Sequence, residues 1–591
     1  MKPGATPAGL IAGAPDRVPV PAENGGEALV SLLAIHGVEW IFINPGTDTA
    51  PIQEALVALA ARGEPTPKLQ VCPDERVAVA AAQGFWLRTG RPQAVIVHVD
   101  VGTQAMGAAM HNAQRTNAGI VIIAGRAPRT FDGSLPGGRS IPVHWQQDQP
   151  DPAGIVRNYV KWAEEITLVE AMPHLCSRAF QVARSAPAGP VYMTVAREVL
   201  MRPVVDMTVS APARHRAPAT PAGCRDAISL AASWLAAAER PIAITARTGR
   251  TPEAAAALGE LARKLGMPVA DARETVNLPS DHPCWLEAEA DVTRHLVDAD
   301  LVLMVDAEVP WVPLVREPSE KALVIQVDRD PVKASMVNWS FAVDLPIQAD
   351  SAKALPALAA AVDSFAAGER AGVWRRRLDA LAAARADRLA RRAAEHREER
   401  GLQPIKPGVL VEALNGVLPD QAIVMEEVTT NDAVVRERLA RTELDTIHAI
   451  GAAGLGWAMG AALGVKLAEP DRDVVALCGD GSFMFCAPVA ALWAARDAGA
   501  PYLTVVFDNQ GYRAAKNPVQ LLYPAGASAR ADDFTGTVFA APPDHAAVAR
   551  ACGAHAERVT DPARLEGALQ EALEATRSGT AAVVQVVLEK I

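Results

Sequence analysis

The sequence predicts an α/β protein made of three doubly wound, parallel-sheet domains. Three observations carry this. Short β-branched runs recur along the chain, at 39–43, 94–99, 120–124, 191–195, 242–246, 301–305, 323–327, 473–477, 503–507 and 582–588. Each is followed by an Ala/Leu-rich stretch of helical length. The runs are apolar throughout instead of alternating, as expected of parallel strands covered on both faces. At 591 residues the chain is long enough for about three or four domains.

The blocks follow composition. Residues 1–21 are rich in Pro, Ala and Gly and read as a flexible extension. A first block spans 22–200, and a Pro-rich connector follows at 202–222. A central block spans 221–365. Residues 366–405 hold an Arg-dense segment (374–400) with interspersed Asp and Glu, expected to be a solvated inter-domain helix. The last block spans 406–591 and reads as built like the first.

Lys and Arg number 57 against 68 Asp and Glu, a net charge of −11. That excludes nucleic acid and anionic membrane as main partners. No apolar run reaches the ~18 residues of a membrane span, and the N-terminus lacks an apolar signal core. Seven scattered cysteines without a CxxC argue for a reducing cytoplasm, and against a disulfide framework or a zinc site.

The strongest local signal is 473–512. A strand ends at Gly479-Asp480-Gly481-Ser482 and a helix is expected at about 485–498. Glycines before a helix N-terminus make an anion site, since free N–H groups and the helix dipole face the ligand. Asp480 places a carboxylate beside that anion, which requires a cation between them, so Mg²⁺ is implied. A second strand ends in Asp508-Asn509-Gln510-Gly511. Parallel neighbours put both C-terminal ends at one edge, so Asn509 can offer its amide oxygen and Gly511 its backbone to the same cation.

GDG followed by a helix, a strand and an Asn resembles the diphosphate-binding signature of thiamine-diphosphate (ThDP) enzymes, in their decarboxylase/acetolactate-synthase branch. Asp480 to Asn509 is 29 positions, about two more than usual in that family, and the extra residues are placed in 484–488. Asp508 stands where many relatives have a first Asn. Asp508 and Asn509 are both candidate ligands, and Asn509 is preferred. Residues 71–84, VCPDERVAVAAAQG, resemble the family's strand-then-Glu segment, with Asp74 where relatives often have His. The resemblance implies that Glu75 hydrogen-bonds the cofactor's aminopyrimidine and activates it, with a carboxyl pKa raised by burial. Residues 41–47 match the family's substrate-side loop, ending in Thr47. Residues 95–112 resemble a benzoylformate decarboxylase segment, which implies proton relay by His98, 23 positions after Glu75. Asp74 and Gln104 are further substrate-side candidates.

Residues 426–432 look like the loop that holds the diphosphate tail, through Thr429 and Thr430. In Ala453-Gly454-Leu455-Gly456, Leu455 would wedge the cofactor and the Ala453 carbonyl would hold its amino group. Gly479, Asp480, Gly481, Ser482, Asn509 and Gly511 complete the implied cofactor site.

The implied activity is ThDP- and Mg²⁺-dependent, non-oxidative decarboxylation of a 2-oxo acid, with carboligation to an acceptor carbonyl as an extension. An acetolactate synthase-type carboligase and a non-catalytic ThDP-fold subunit are the alternatives. The family order is pyrimidine, central and diphosphate domain, in a homodimer or homotetramer with active sites between subunits. Flavin-binding relatives use an Arg-bearing loop after a central-domain strand; 301–315 carries no Arg before Arg316, so FAD is not expected, and 309–313 lacks the central-domain His of benzoylformate decarboxylase. No GxxxxGK[ST], HExxH or GxSxG occurs, so P-loop, zincin and hydrolase chemistries have no support.

Overall fold

A computed structural model describes residues 16–591 except 273 and 367. Each of the three blocks holds a six-stranded, all-parallel sheet flanked by helices.

The first sheet runs, in spatial order, Lys68–Val71, Trp40–Ile43, Ala94–Val97, Val121–Arg126, Val191–Ala196, Ala163–Ile166. The last sheet repeats that order, with Ile447–Ala449, Ile423–Glu427, Val474–Gly479, Leu503–Asp508, Ala582–Val587 and His555–Val559. In both, the second strand lies outside the first and the third lies inside it. The chain therefore reverses direction across the sheet between its first and third strands, where the loops diverge and leave a crevice at the carboxyl ends. The central sheet has a different order: Trp285–Leu286, Val269–Asp271, Pro241–Thr245, Leu301–Val305, Leu323–Asp328, Leu345–Gln348.

The apolar runs become fully buried strands, such as Ala94–Val97 and Leu503–Asp508. Each sheet carries its own apolar core, with Ile41, Ile96 and Ile123 in the first, Leu303 and Ile325 in the central and Val475 and Val505 in the last.

Several boundaries differ from expectation. Arg17–Pro19, inside the expected flexible extension, pairs antiparallel with Thr208–Ser210 of the Pro-rich connector. The rest of that extension, 1–15, lies outside the described residues. Ile423–Glu427 takes Glu426 and Glu427 into the strand, so the loop after it starts at Val428. The helix expected at about 485–498 starts earlier and breaks: Asp480–Phe485, then Pro488–Asp497. Ala487, at φ 47°, makes the break. The Arg-dense segment is one helix, Glu369–Glu399, that buries only Trp374 and Leu381.

By contacts the chain falls into two compact units. One joins the described residues up to Pro218 with Ala452–Pro470 and Trp493–Ala498. The other holds Ala219–Gly451, Asp471–Leu492 and Gly499–Ile591. Within the first unit, the helix Glu75–Thr89 lies against Ala458–Ala468. Glycines make this possible. A Cβ on Gly464 would stand 1.8 Å from the Ala81 carbonyl oxygen, and one on Gly84 would stand 2.1 Å from that of Ala461.

Candidate active site

Each unit holds its own cluster of the expected residues, and each cluster lies at the carboxyl ends of a sheet.

In the second unit, Gly479 ends its strand and Asp480 opens the short helix that follows. Asp480 is 3% exposed. Its Oδ1 accepts the Gly481 amide at 2.8 Å, and its Oδ2 accepts the Gly511 amide at 3.0 Å, across the neighbouring strand end. Burial, then the nearby Asp508 charge, push its carboxyl pKa up to about 6. Asp508 is fully engaged: Oδ1 accepts from the Gln510 amide and Oδ2 from Gln585 Nε2. Asn509 is buried and its Oδ1 has no hydrogen-bond partner. A buried amide oxygen without a partner beside a buried carboxylate is a donor pair for a hard cation.

Glycines stand at both strand ends because side chains would not fit. A Cβ on Gly481 would lie 2.6 Å from the Tyr512 ring, and one on Gly511 would lie 2.4 Å from the Thr537 carbonyl. Ser482 is buried in the same turn. Thr429, exposed at φ 49°, and the half-buried Thr430 form a tight turn after Ile423–Glu427. Glu426 behind them is buried, and burial followed by the Asp432 charge raises its pKa to about 8. Among the described residues no group of three or more His, Cys, Asp or Glu is placed to hold a metal. The Asp480–Asn509–Gly511 set has only one carboxylate.

In the first unit, Glu75 is the first residue of its helix and only half-buried, against the expectation of a buried carboxyl. Asn44 Nδ2 donates to its Oε1 at 3.0 Å, and a Cβ on Gly102 would stand 3.1 Å from the same oxygen. Asp74 caps the helix through the Arg76 amide and pairs with the Arg76 guanidinium at 2.7 Å. Its carboxylate is committed to the helix start. Gln104 is exposed, with one long bond to Asp100.

His98 stands at the end of Ala94–Val97, in the crevice between the first and third strands. Its Nδ1 shares a short hydrogen bond with Asp48 Oδ1, and Asp48 Oδ2 accepts the Val99 amide at 3.2 Å. Asp48 is 4% exposed. That hydrogen bond raises the His98 pKa against the opposing effect of burial. Thr47, His144, Arg126 and Arg197 line the same small cavity. His144 Nδ1 accepts the Ser140 amide at 3.1 Å, so the neutral ring carries its proton on Nε2, 3.3 Å from Thr47 Oγ1. Burial, then the Arg197 charge, lower its pKa. One cavity thus holds two imidazoles driven toward opposite protonation states.

Leu455 and Ala453 also belong to the first unit. The Leu455 amide donates to the Ala453 carbonyl at 3.1 Å. Asn112 grips the intervening Gly454 twice, donating to its carbonyl at 2.6 Å and accepting from its amide at 3.1 Å.

Sequence reasoning missed Asp48, His144, Asn44 and Asn112. Asp48 had a signal, as a carboxylate next to Thr47 on the Pro-Gly loop. His144 had none, since it comes from a short helix, Val143–Gln146, 97 positions along the chain from Thr47.

Three family profiles match in order: the thiamine pyrophosphate enzyme N-terminal TPP binding domain at 23–155, the central domain at 228–358, and the C-terminal TPP binding domain at 432–586. The benzoylformate decarboxylase of Pseudomonas aeruginosa is 28% identical, over 93% of this chain and 96% of its own. The acetolactate synthase large subunit of Haemophilus influenzae is 25% identical, over 93% of this chain and 92% of its own. Among solved structures, the ThDP-dependent 4-hydroxybenzoylformate decarboxylase of Rhodococcus jostii superposes with a TM-score of 0.75 at 21% identity, over 96% of this chain and 99% of its own. With three ThDP-domain profiles spread along one chain and two full-length relatives of this kind, the protein belongs to the ThDP-dependent decarboxylase/acetolactate synthase-like family and is a ThDP-dependent lyase or carboligase.

Proposed function

We propose that this enzyme catalyses the Mg²⁺-dependent, non-oxidative decarboxylation of a 2-oxo acid, with carboligation when an acceptor aldehyde is present. The observation that carries the reading is the cavity holding His98, with its raised pKa, and neutral His144. A decarboxylase must return a proton to carbon after CO₂ leaves; an imidazole in this cavity can carry that proton near neutral pH, and the His144 Nε2–H is a second donor beside Thr47.

The residues present fit the cofactor. Asp480, the unpartnered Asn509 Oδ1 and the Gly511 backbone would hold Mg²⁺, and Thr429, Thr430 and the Gly479–Ser482 turn would receive the diphosphate. Bound ThDP supplies the electron sink for decarboxylation. Glu75 would hydrogen-bond the aminopyrimidine through one carboxylate oxygen, while Asn44 Nδ2 holds the other at 3.0 Å. Leu455 would wedge the cofactor, and the Ala453 carbonyl would hold its amino group. The Thr47 hydroxyl offers a polar partner for the substrate carboxylate, while Arg197, tied to the Thr47, Gly137 and Gly138 carbonyls, holds the loop that carries it.

The same reading assigns 22–200 to the pyrimidine domain, 221–365 to the central domain, 366–405 to the linker and 406–591 to the diphosphate domain. In the central domain Arg247 pairs with Glu308 at 2.8 Å, and Lys333 with Asp328 at 2.7 Å. Both cations are already paired with carboxylates, so neither is offered to a flavin diphosphate. Exposed apolar side chains such as Leu314, Leu521 and Leu522 support a homodimer or homotetramer that covers them. Seven free cysteines support a cytoplasmic setting. Among the described residues no helix is long and apolar enough to cross a membrane.

The test is a panel of 2-oxo acids assayed for CO₂ release with ThDP and Mg²⁺, with and without acceptor aldehydes. Release without acceptor supports the decarboxylase. Product formed only with a second 2-oxo acid as acceptor would move the assignment to the acetolactate synthase type.

A further inference from the structure

Asp48 makes two bonds that together define the shape of the crevice. One oxygen takes His98 Nδ1 and the other takes the Val99 amide. Val99 is β-branched yet sits at φ 34°, a conformation such residues avoid and one that survives only where surrounding bonds dictate it. Thr103 Oγ1 holds the Val99 carbonyl at 2.6 Å, and Tyr192 supports Thr103 at 2.9 Å. The fold also leaves room for the pair. A Cβ on Gly125 would lie 1.5 Å from Asp48 Oδ2, and one on Gly46 would lie 2.0 Å from His98 Nδ1. The dyad thus fills the space that two glycines leave open. Asp48 is almost wholly buried, while the His98 side chain keeps 20% of its surface open.

We propose that Asp48 is a positioning residue for proton transfer: by binding Nδ1–H and the Val99 amide it fixes the His98 tautomer and ring plane, leaving Nε2 as the nitrogen offered to substrate. The charged and titratable groups facing His98 are Asp48 and Asp100, with His144, Arg126 and Arg197 around the cavity. Gln147 lines the same cavity. Asp48 is the carboxylate in direct contact, so its removal leaves the cations and His144 to act on the imidazole. The catalytic consequence rests on the decarboxylase reading; the dyad itself does not.

The test uses the full chain. Imidazole ¹⁵N–¹H spectra, with His98 assigned from His98→Ala, report tautomer and titration without turnover. Wild type should show a protonated Nδ1 on neutral His98 and a midpoint above ~6.5. In Asp48→Asn the midpoint should fall by about one unit or more, and the alkaline limb of kcat/KM should move with it. Asp48→Glu, which keeps the charge, should recover part of the shift; if Asp48→Asn does not fold, this variant and the wild-type tautomer decide. A Nε2–H tautomer in wild type, or a midpoint unmoved in a folded Asp48→Asn whose melting temperature has dropped, would overturn the proposal and leave Asp48 a packing residue. A shifted midpoint in an enzyme that releases CO₂ from no 2-oxo acid would uphold the dyad and remove the decarboxylase reading instead.

Discussion

Gln585 holds Asp508: its Nε2 donates to Asp508 Oδ2 at 2.7 Å, between two paired strands where both residues are 1% exposed. The neighbouring Asn509 Oδ1 has no partner. This contrast favours Asn509 as the metal ligand, since Asp508 is already committed to the sheet. Asp480→Ala and Asn509→Ala should each abolish Mg²⁺-dependent ThDP binding measured by calorimetry, whereas Gln585→Glu should chiefly lower the melting temperature. Full ThDP affinity of Asp480→Ala in EDTA would falsify the metal assignment.

Glu75 accepts one hydrogen bond from Asn44. Glu75→Gln keeps the shape but cannot share a proton with the cofactor. ThDP affinity should change only modestly, while exchange of the thiazolium C2 proton, read by NMR after acid quench in D₂O, should slow about a hundredfold or more. An unchanged exchange rate would assign activation to another residue.

His98→Ala removes the imidazole from the crevice. Turnover should fall roughly a hundredfold or more, with ThDP affinity nearly unchanged. A packing histidine would give the reverse, a lower melting temperature with turnover per molecule intact, so both are measured on one preparation.

Glu426 has its pKa raised from an ordinary 4.5 to about 8 by burial and by Asp432. A carboxyl raised in the folded state stabilises fully below 4.5 and loses that contribution as pH rises through about 8. Glu426→Gln keeps the acceptor for the Val428 amide and cannot ionise. Its stability advantage over wild type should grow between pH 5 and 8 and then level off, reaching roughly 2 kcal/mol or more. A constant difference across denaturation curves at several pH values would show that Glu426 does not titrate there.

Gly464 stands where a Cβ would meet the Ala81 carbonyl, backbone that cannot yield. Gly464→Ala should cost about 2 kcal/mol or more by forcing the two helices apart. Gly416, in the helix Pro407–Val417 with nothing within 4 Å of its Cβ position, is the control. Gly416→Ala should be neutral or stabilising by about 0.5–1 kcal/mol. Equal effects in thermal melts would show that the close approach carries no weight.

The α/β class, the three parallel sheets and the Gly479–Gly481 strand-to-helix turn were legible in the sequence, because these are written in contiguous residues. An apolar run that is buried on both faces needs no distant partner to be read as a parallel strand, and Gly479-Asp480-Gly481 needs only the helix after it. The sequence also placed Glu75, Asn509 and His98 at strand or helix ends. Tertiary structure decided what those residues do for one another. Sheet order put the first and third strands side by side, so that Asp48, His98 and His144, far apart along the chain, line one cavity. It gave Asp508 to Gln585 and left Asn509 unpartnered. It turned Asp74 into a helix cap and moved Glu426 from an expected loop into a buried strand. Local patterns fix which backbone forms and where it ends; burial, and with it protonation and partner choice, depends on what other segments the fold lays alongside.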